Sequence, residues 1–254
     1  MLDFRSRILL EKAARDAGFE IAVGHDDYSM TFASSLVKAR LRIGVDANRF
    51  TIAVDESDVM NELTRYVGQK SEMLQIGNEA IEAPGILVVH ELAERAFQLS
   101  RSMPTRPLDE FRTKLASSPS STEIERMVRQ RVGQDIFRKA LDDYWQGKCA
   151  VTGISDRPLL RASHIVPWAE CVSDEQRLDV FNGILLIADL DAVFDAALMT
   201  FDEIGHPRFS DKLSSEGRAR LVDRLSGVSV RLAPRHQGYL AAHRARFKAL
   251  SQAN

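Results

Sequence analysis

Residues 115–123 read LASSPSSTE, a Ser/Pro-rich stretch too polar to pack into a core. Such a break constrains the chain to two separately folded parts, with a domain over residues 1–114, a linker over 115–123 and a second domain over 124–254. A chain of 254 residues, 44% of them hydrophobic, carries enough apolar surface for two modest cores. It has no run of 18 apolar residues, so no membrane-spanning helix and no membrane partner are expected. The opening MLDFRSRILLEKAARDAGFE mixes acids with bases and lacks a small-residue cleavage site, so it does not read as a signal or transit peptide. A cytoplasmic location is the expectation.

Both parts read as α+β. In the first, residues 4–17 have apolar side chains at helical spacing, and ARLRIGV and RFTIAVDE alternate as the two strands of a hairpin. Helices are predicted over 58–68 and 83–100, the latter interrupted near its start by the β-branched run at 86–89. In the second part, Ser121 or Thr122 with Glu125 forms a capping-box pattern ahead of a long helix that runs to about Trp145 and stops at Gly147. Short β-like pieces follow at 149–152 and 159–165, then the apolar run FNGILLIA and a helix over about 189–199. The order is strand, strand, helix.

Composition excludes several chemistries. Only Cys149 and Cys171 occur, so one chain can build neither a disulfide framework nor a four-cysteine zinc scaffold. His90-Glu91 lacks the second histidine of a zinc-protease motif, because Glu94 stands four residues on. A net charge of -2 gives no global attraction to nucleic acid, so any such contact must come from a local basic patch.

From Arg161 the residues suit phosphodiester hydrolysis. RASHIVPWAE places His164 at a strand end, and FNGILLIADLDAVFD puts Asn182 in a turn ahead of Asp191 and Asp195. A neutral imidazole takes a proton from an attacking water, while a divalent cation neutralises charge growing on the phosphate. Asp191 and Asp195 lie four residues apart, so a helix stacks them on one face within reach of one hard cation. Asn182 is then placed to fix the histidine ring or orient the water. Asp195 also admits a plainer reading, as a solvated surface acid.

At these residues a resemblance becomes specific. VGQDIFRKAL, CAVTG, SHIVPW, FNGILL, LDAVFD and FDEIGHPRF together resemble the HNH, or ββα-metal, endonuclease family of bacterial defence and phage systems, over about residues 131–209. The resemblance implies a C-terminal ββα-metal nuclease domain with His164 as general base, Asn182 as the middle asparagine, and Asp191 and Asp195 as helical metal positions. Two departures stand out: the third motif position, often His, is Asp191, and the residue before the base, often an acidic or histidine metal ligand, is Ser163. With oxygen donors from Ser163, Asp191 and Asp195, Mg2+ or Mn2+ is favoured over Zn2+. The paired CxxC motifs that hold structural zinc in many relatives do not occur, and no structural zinc is expected.

DNA contacts are read from Arg161, beside the motif, and from Arg131, Gln134 and Arg138, which share one helix face; that stripe reads equally as a solvated face balanced by Asp135 and Asp142. The basic tail RLAPRHQGYLAAHRARF either folds back on the core or tracks DNA backbone. The expectation is a metal-dependent endonuclease acting on double-stranded DNA and leaving a 5' phosphate. It belongs to a bacterial restriction or defence system, sequence-specific or modification-dependent. The N-terminal domain then serves target recognition or dimerisation, since a homodimer matches the two-fold symmetry of duplex DNA. The rival is a non-catalytic DNA-binding or interaction protein that keeps the HNH scaffold.

Overall fold

The computed structural model describes residues 2–46, 49–70, 75–76, 80–115, 123–222, 225 and 227–252. The chain divides into two compact units, Met1–Arg106 and Pro107–Asn254. Most of the stretch expected to be a linker, residues 116–122, lies outside the described residues. Among the described residues no helix is long and apolar enough to cross a membrane.

The first unit is built on antiparallel strands. These are β1 (Ile21–His25), β2 (Ser29–Ala33), β3 (Leu41–Asp46), β4 (Arg49–Val54), β5 (Gln75–Ile76) and β6 (Ile81–Ala83), in the order β1-β2-β3-β4-β6-β5. The alternating pattern sets β3 against β4 in the expected hairpin, with Ile43 opposite Ile52 and Leu41 opposite Val54. Those four side chains are buried, as are Phe32 and Ile81. Helices α1 (Phe4–Asp16), α2 (Ser57–Lys70) and α3 (Ile86–Ser102) cover them with Leu10 and Ala14, with Val59, Leu63 and Val67, and with Val89, Leu92, Ala96 and Leu99. The β-branched run at 86–89 does not interrupt α3 but forms its first turn. Gly85 sits at the N-cap, and Ala83, expected to begin the helix, instead ends β6, because pairing of β6 with β4 outweighs local propensity.

The second unit contains α4 (Thr105–Leu115, entering from the first unit), α5 (Glu123–Tyr144), β7 (Leu160–His164), α6 (Asp174–Leu178), β8 (Gly183–Ile187), α7 (Ala188–Asp195), β9 (Met199–Phe201), β10 (Pro207–Phe209), α8 (Ser215–Leu221) and α9 (His236–Gln252). β7 and β8 pair antiparallel, with Ser163 opposite Ile184 and His164 opposite Gly183. Helix α5 packs on one face of this hairpin and α7 on the other. That is why β8 reads as an unbroken apolar run, with residues 183–186 buried regardless of parity. The core joins Leu160, Ile165, Ile184, Leu185, Leu186, Leu190, Phe194, Met199, Phe201 and Leu240. Each such residue contributes about 1.5 to 3 kcal/mol when fully buried.

Residues 149–152, expected to be β-like, form a turn that touches the hairpin through the Ala150 amide and the Leu185 carbonyl, 2.8 Å apart. Helix α7 is shorter than the expected 189–199 because Ala197 takes the left-handed conformation, φ 54°, and ends it.

Candidate active site

Strand parity separates the two candidate positions on β7. Ser163 points toward α7, where its hydroxyl donates a short hydrogen bond to Asp191 Oδ1. His164 points the other way, toward α5, and its ring stacks on Phe137 with centroids 3.7 Å apart and planes at 17°. The edge of Trp168 closes the ring from the side, at 5.6 Å. Two glycines make this packing fit: a Cβ on Gly183 would stand 2.5 Å from Phe137 Cζ, and one on Gly133 would stand 2.3 Å from Trp168 Cη2. Gly133 weakens helix α5 locally, yet it admits the indole.

The half-buried His164 is held neutral. Burial pushes its pKa down to about 4, only partly offset by the hydrogen bond to the Arg177 carbonyl. That carbonyl, 2.9 Å from Nε2, can only accept, so Nε2 carries the proton and Nδ1 keeps the lone pair a general base requires. Arg177 is itself fixed: its guanidinium donates to the Trp168 and Cys171 carbonyls and to Asp174 Oδ1.

Asn182 is completely buried. Its Oδ1 accepts from the Val166 amide at 2.8 Å, and its Nδ2 donates to the Gln176 and Val166 carbonyls at 3.1 and 3.3 Å and approaches Cys171 Sγ. The amide is thus committed to the loop between β7 and β8. Its hydrogen bonds run to the Val166 and Gln176 backbone rather than to the histidine ring.

On α7, Asp191 and Asp195 lie four residues apart and share a face. The carboxyl of Asp195 is pushed up, first by burial and then by the charge of Asp191, against the opposing pull of Arg246. Two carboxylates and a hydroxyl give only hard oxygen donors, and a like-charged pair favours a cation between them, so this set fits Mg2+ or Mn2+. Among the described residues there is no group of three or more His, Cys, Asp or Glu that could hold a metal. Any ion here therefore relies on Ser163 and water to complete its shell.

The expected DNA-facing residues divide. Arg131 and Gln134 are exposed on α5. Arg138 instead turns inward and donates to the Leu160 carbonyl at 3.2 Å. Arg161 folds back on the Pro158 and Leu160 carbonyls, both at 2.9 Å, in an exposed position. Sequence reasoning did not reach the Phe137 stack, the Arg177 carbonyl, or the contacts that α9 makes with α7. Only the paired Gly133 and Gly183, in otherwise regular elements, signalled a close approach.

The two-stranded hairpin ends in a neutral histidine and is backed by a helix with paired acids, a strand, strand, helix order. Residues 149–202 match a family model described as HNH endonuclease. A comparison with curated proteins finds no match.

Proposed function

We infer from the HNH segment a nuclease-type hydrolase chemistry on DNA, in a family whose nucleases generally use a divalent metal. We propose that this chain is a metal-dependent endonuclease of a bacterial restriction or defence system, acting on double-stranded DNA in the cytoplasm. The observation that carries the reading is the Ser163 to Asp191 hydrogen bond, which joins α7 to the strand residue immediately before His164. Ser163, Asp191 and Asp195 would hold the ion, which when bound neutralises charge on the phosphate and the departing oxygen. We assign His164 Nδ1 as the acceptor of the attacking water's proton, with the phosphodiester spanning the end of β7 because the ring lies on the α5 side of the hairpin and the acid pair on the α7 side. An anionic phosphodiester beside the ring stabilises the resulting imidazolium. Asn182 and Arg177 keep the loop, and so the ring, in place. Hydrolysis leaves a 5' phosphate. The first unit reads the target, by sequence or by base modification, or joins two chains so that two sites cut two strands.

One observation favours a rival. A serine hydroxyl stands where an acidic or histidine ligand is usual, a weaker donor that suits a scaffold kept for DNA binding alone. Methylated and unmethylated plasmid DNA, incubated with the protein and Mg2+ or Mn2+ beside a His164→Ala variant, separates the two. Cleavage by the wild type and not the variant supports the nuclease, and dependence on methylation picks the kind of target. Failure to cleave either DNA, together with no Mn2+ binding by calorimetry, supports the rival.

A further inference from the structure

The end of α7 is completed by a helix outside the matched segment. After Asp195 the left-handed Ala197 stops the helix; the amides of Ala196, Leu198 and Ala197 serve the carbonyls of Ala192, Val193 and Phe194, and further donors reach this last turn from elsewhere in the chain. Two of them come from α9. His243, buried, donates from Nε2 to the Phe194 carbonyl at 2.9 Å, accepts at Nδ1 from the Thr200 hydroxyl at 2.9 Å, and stacks on Phe194 with centroids 3.9 Å apart. Arg246 donates from Nη2 to the backbone carbonyl of Asp195 at 3.2 Å. A guanidinium is suited to this place because its charge complements the negative end of the helix and its planar fork holds one acceptor in a fixed direction.

We propose that Arg246 is a positioning residue for Asp195, fixing the last turn of α7 so that the Asp195 carboxylate stays on the face it shares with Asp191. This inference rests on the metal-binding reading of that acid pair. It makes α9 part of the working nuclease unit, although α9 supplies no ligand. Residues around a metal that orient its ligands commonly change affinity tenfold or more when removed.

The test is calorimetric titration of Mn2+ into the full-length protein, which needs no turnover. The wild type is compared with Arg246→Ala, Arg246→Lys, Asp195→Asn and the double variant Asp195→Asn/Arg246→Ala. Expected are binding weaker by about tenfold in Arg246→Ala, most of it restored in Arg246→Lys, and no further loss when Arg246→Ala is added to Asp195→Asn. Unchanged Mn2+ affinity in Arg246→Ala overturns the proposal. So does an equal loss in both backgrounds, which marks a general structural role. Wild-type protein that binds no Mn2+ overturns the metal-binding reading itself, whereas wild-type binding with an indifferent Arg246 overturns this inference alone.

Discussion

His164 lies flat on Phe137, 3.7 Å between centroids, with its Nε2 hydrogen fixed on the Arg177 carbonyl. The stack removes water from one ring face, and the hydrogen bond to the Arg177 carbonyl sets which nitrogen stays unprotonated. Replacing Phe137 by Leu keeps an apolar neighbour but loses the flat surface, so the ring gains water and rotational freedom. The histidine pKa then rises from about 4 toward its ordinary value, because burial is the first cause of its depression. Proton NMR of the imidazole checks this, and DNA cleavage falls by about one to two orders of magnitude as the base loses its aim. A pKa that stays low in the variant would show that Phe137 is not what dehydrates the ring.

Asn182 makes a different prediction, since it acts on the loop rather than the reaction. Asn182→Asp keeps the acceptor for the Val166 amide but cannot donate to the Gln176 and Val166 carbonyls, and it places a charge in a fully buried site. Urea denaturation should show a loss of about 2 to 4 kcal/mol, the sum of two broken hydrogen bonds and their unsatisfied carbonyls. A variant as stable as the wild type would deny the bracing role.

Such a role was hidden in the sequence for a physical reason. Elements with a strong repeat were legible: the β3 and β4 hairpin from alternation, α1 and α2 from helical spacing, and the continuous apolar β8 between its two helices. The meeting of Ser163 with Asp191 follows from strand parity and helix placement once those elements are known. What an amide or guanidinium bonds to depends on loop backbone with no periodicity, as with Asn182 and the 166–178 loop. Arg138 shows the same limit: its spacing placed it on a DNA-facing stripe, while the packing of α5 on β7 turned it to the Leu160 carbonyl. β1 and β2 escaped notice because IAVGH and SMTFA alternate weakly, and β1 is exposed along its length. The tie between α9 and α7 joins residues far apart in sequence, and no local pattern announces it.

Two depressed histidines make stability fall in mild acid. His164 and His243 both have folded pKa values near 4, below the ordinary 6.5, with burial as the first cause. Protonation therefore favours the unfolded chain. The stabilisation each gives is complete above about pH 6.5 and is lost as pH falls toward 4, with a slope of up to about 1.4 kcal/mol per pH unit per histidine. His243→Asn removes one titrating ring. Between pH 6 and pH 4.5 its stability, measured by urea denaturation, should decline less steeply than the wild type by up to that slope. Parallel declines would mean that His243 does not titrate on unfolding.

Gly183 tests whether the base is held by close packing or by the loop alone. It faces His164 across the hairpin, and an added Cβ would meet Phe137 Cζ at 2.5 Å and the Leu141 methyl carbons at 2.8 and 3.0 Å. These atoms belong to buried side chains of α5, so relief requires the helix to move away from β8. Overpacking of this kind costs about 1 to 3 kcal/mol. Because Phe137 carries the imidazole stack, the same movement should disturb His164. Gly183→Ala is thus expected to lower both the urea midpoint and the cleavage rate, with Mn2+ affinity unchanged because Ser163, Asp191 and Asp195 lie on the opposite face of the hairpin. A variant that loses stability but cleaves at the wild-type rate would show that the loop anchored by Asn182 and Arg177 holds the base without help from α5.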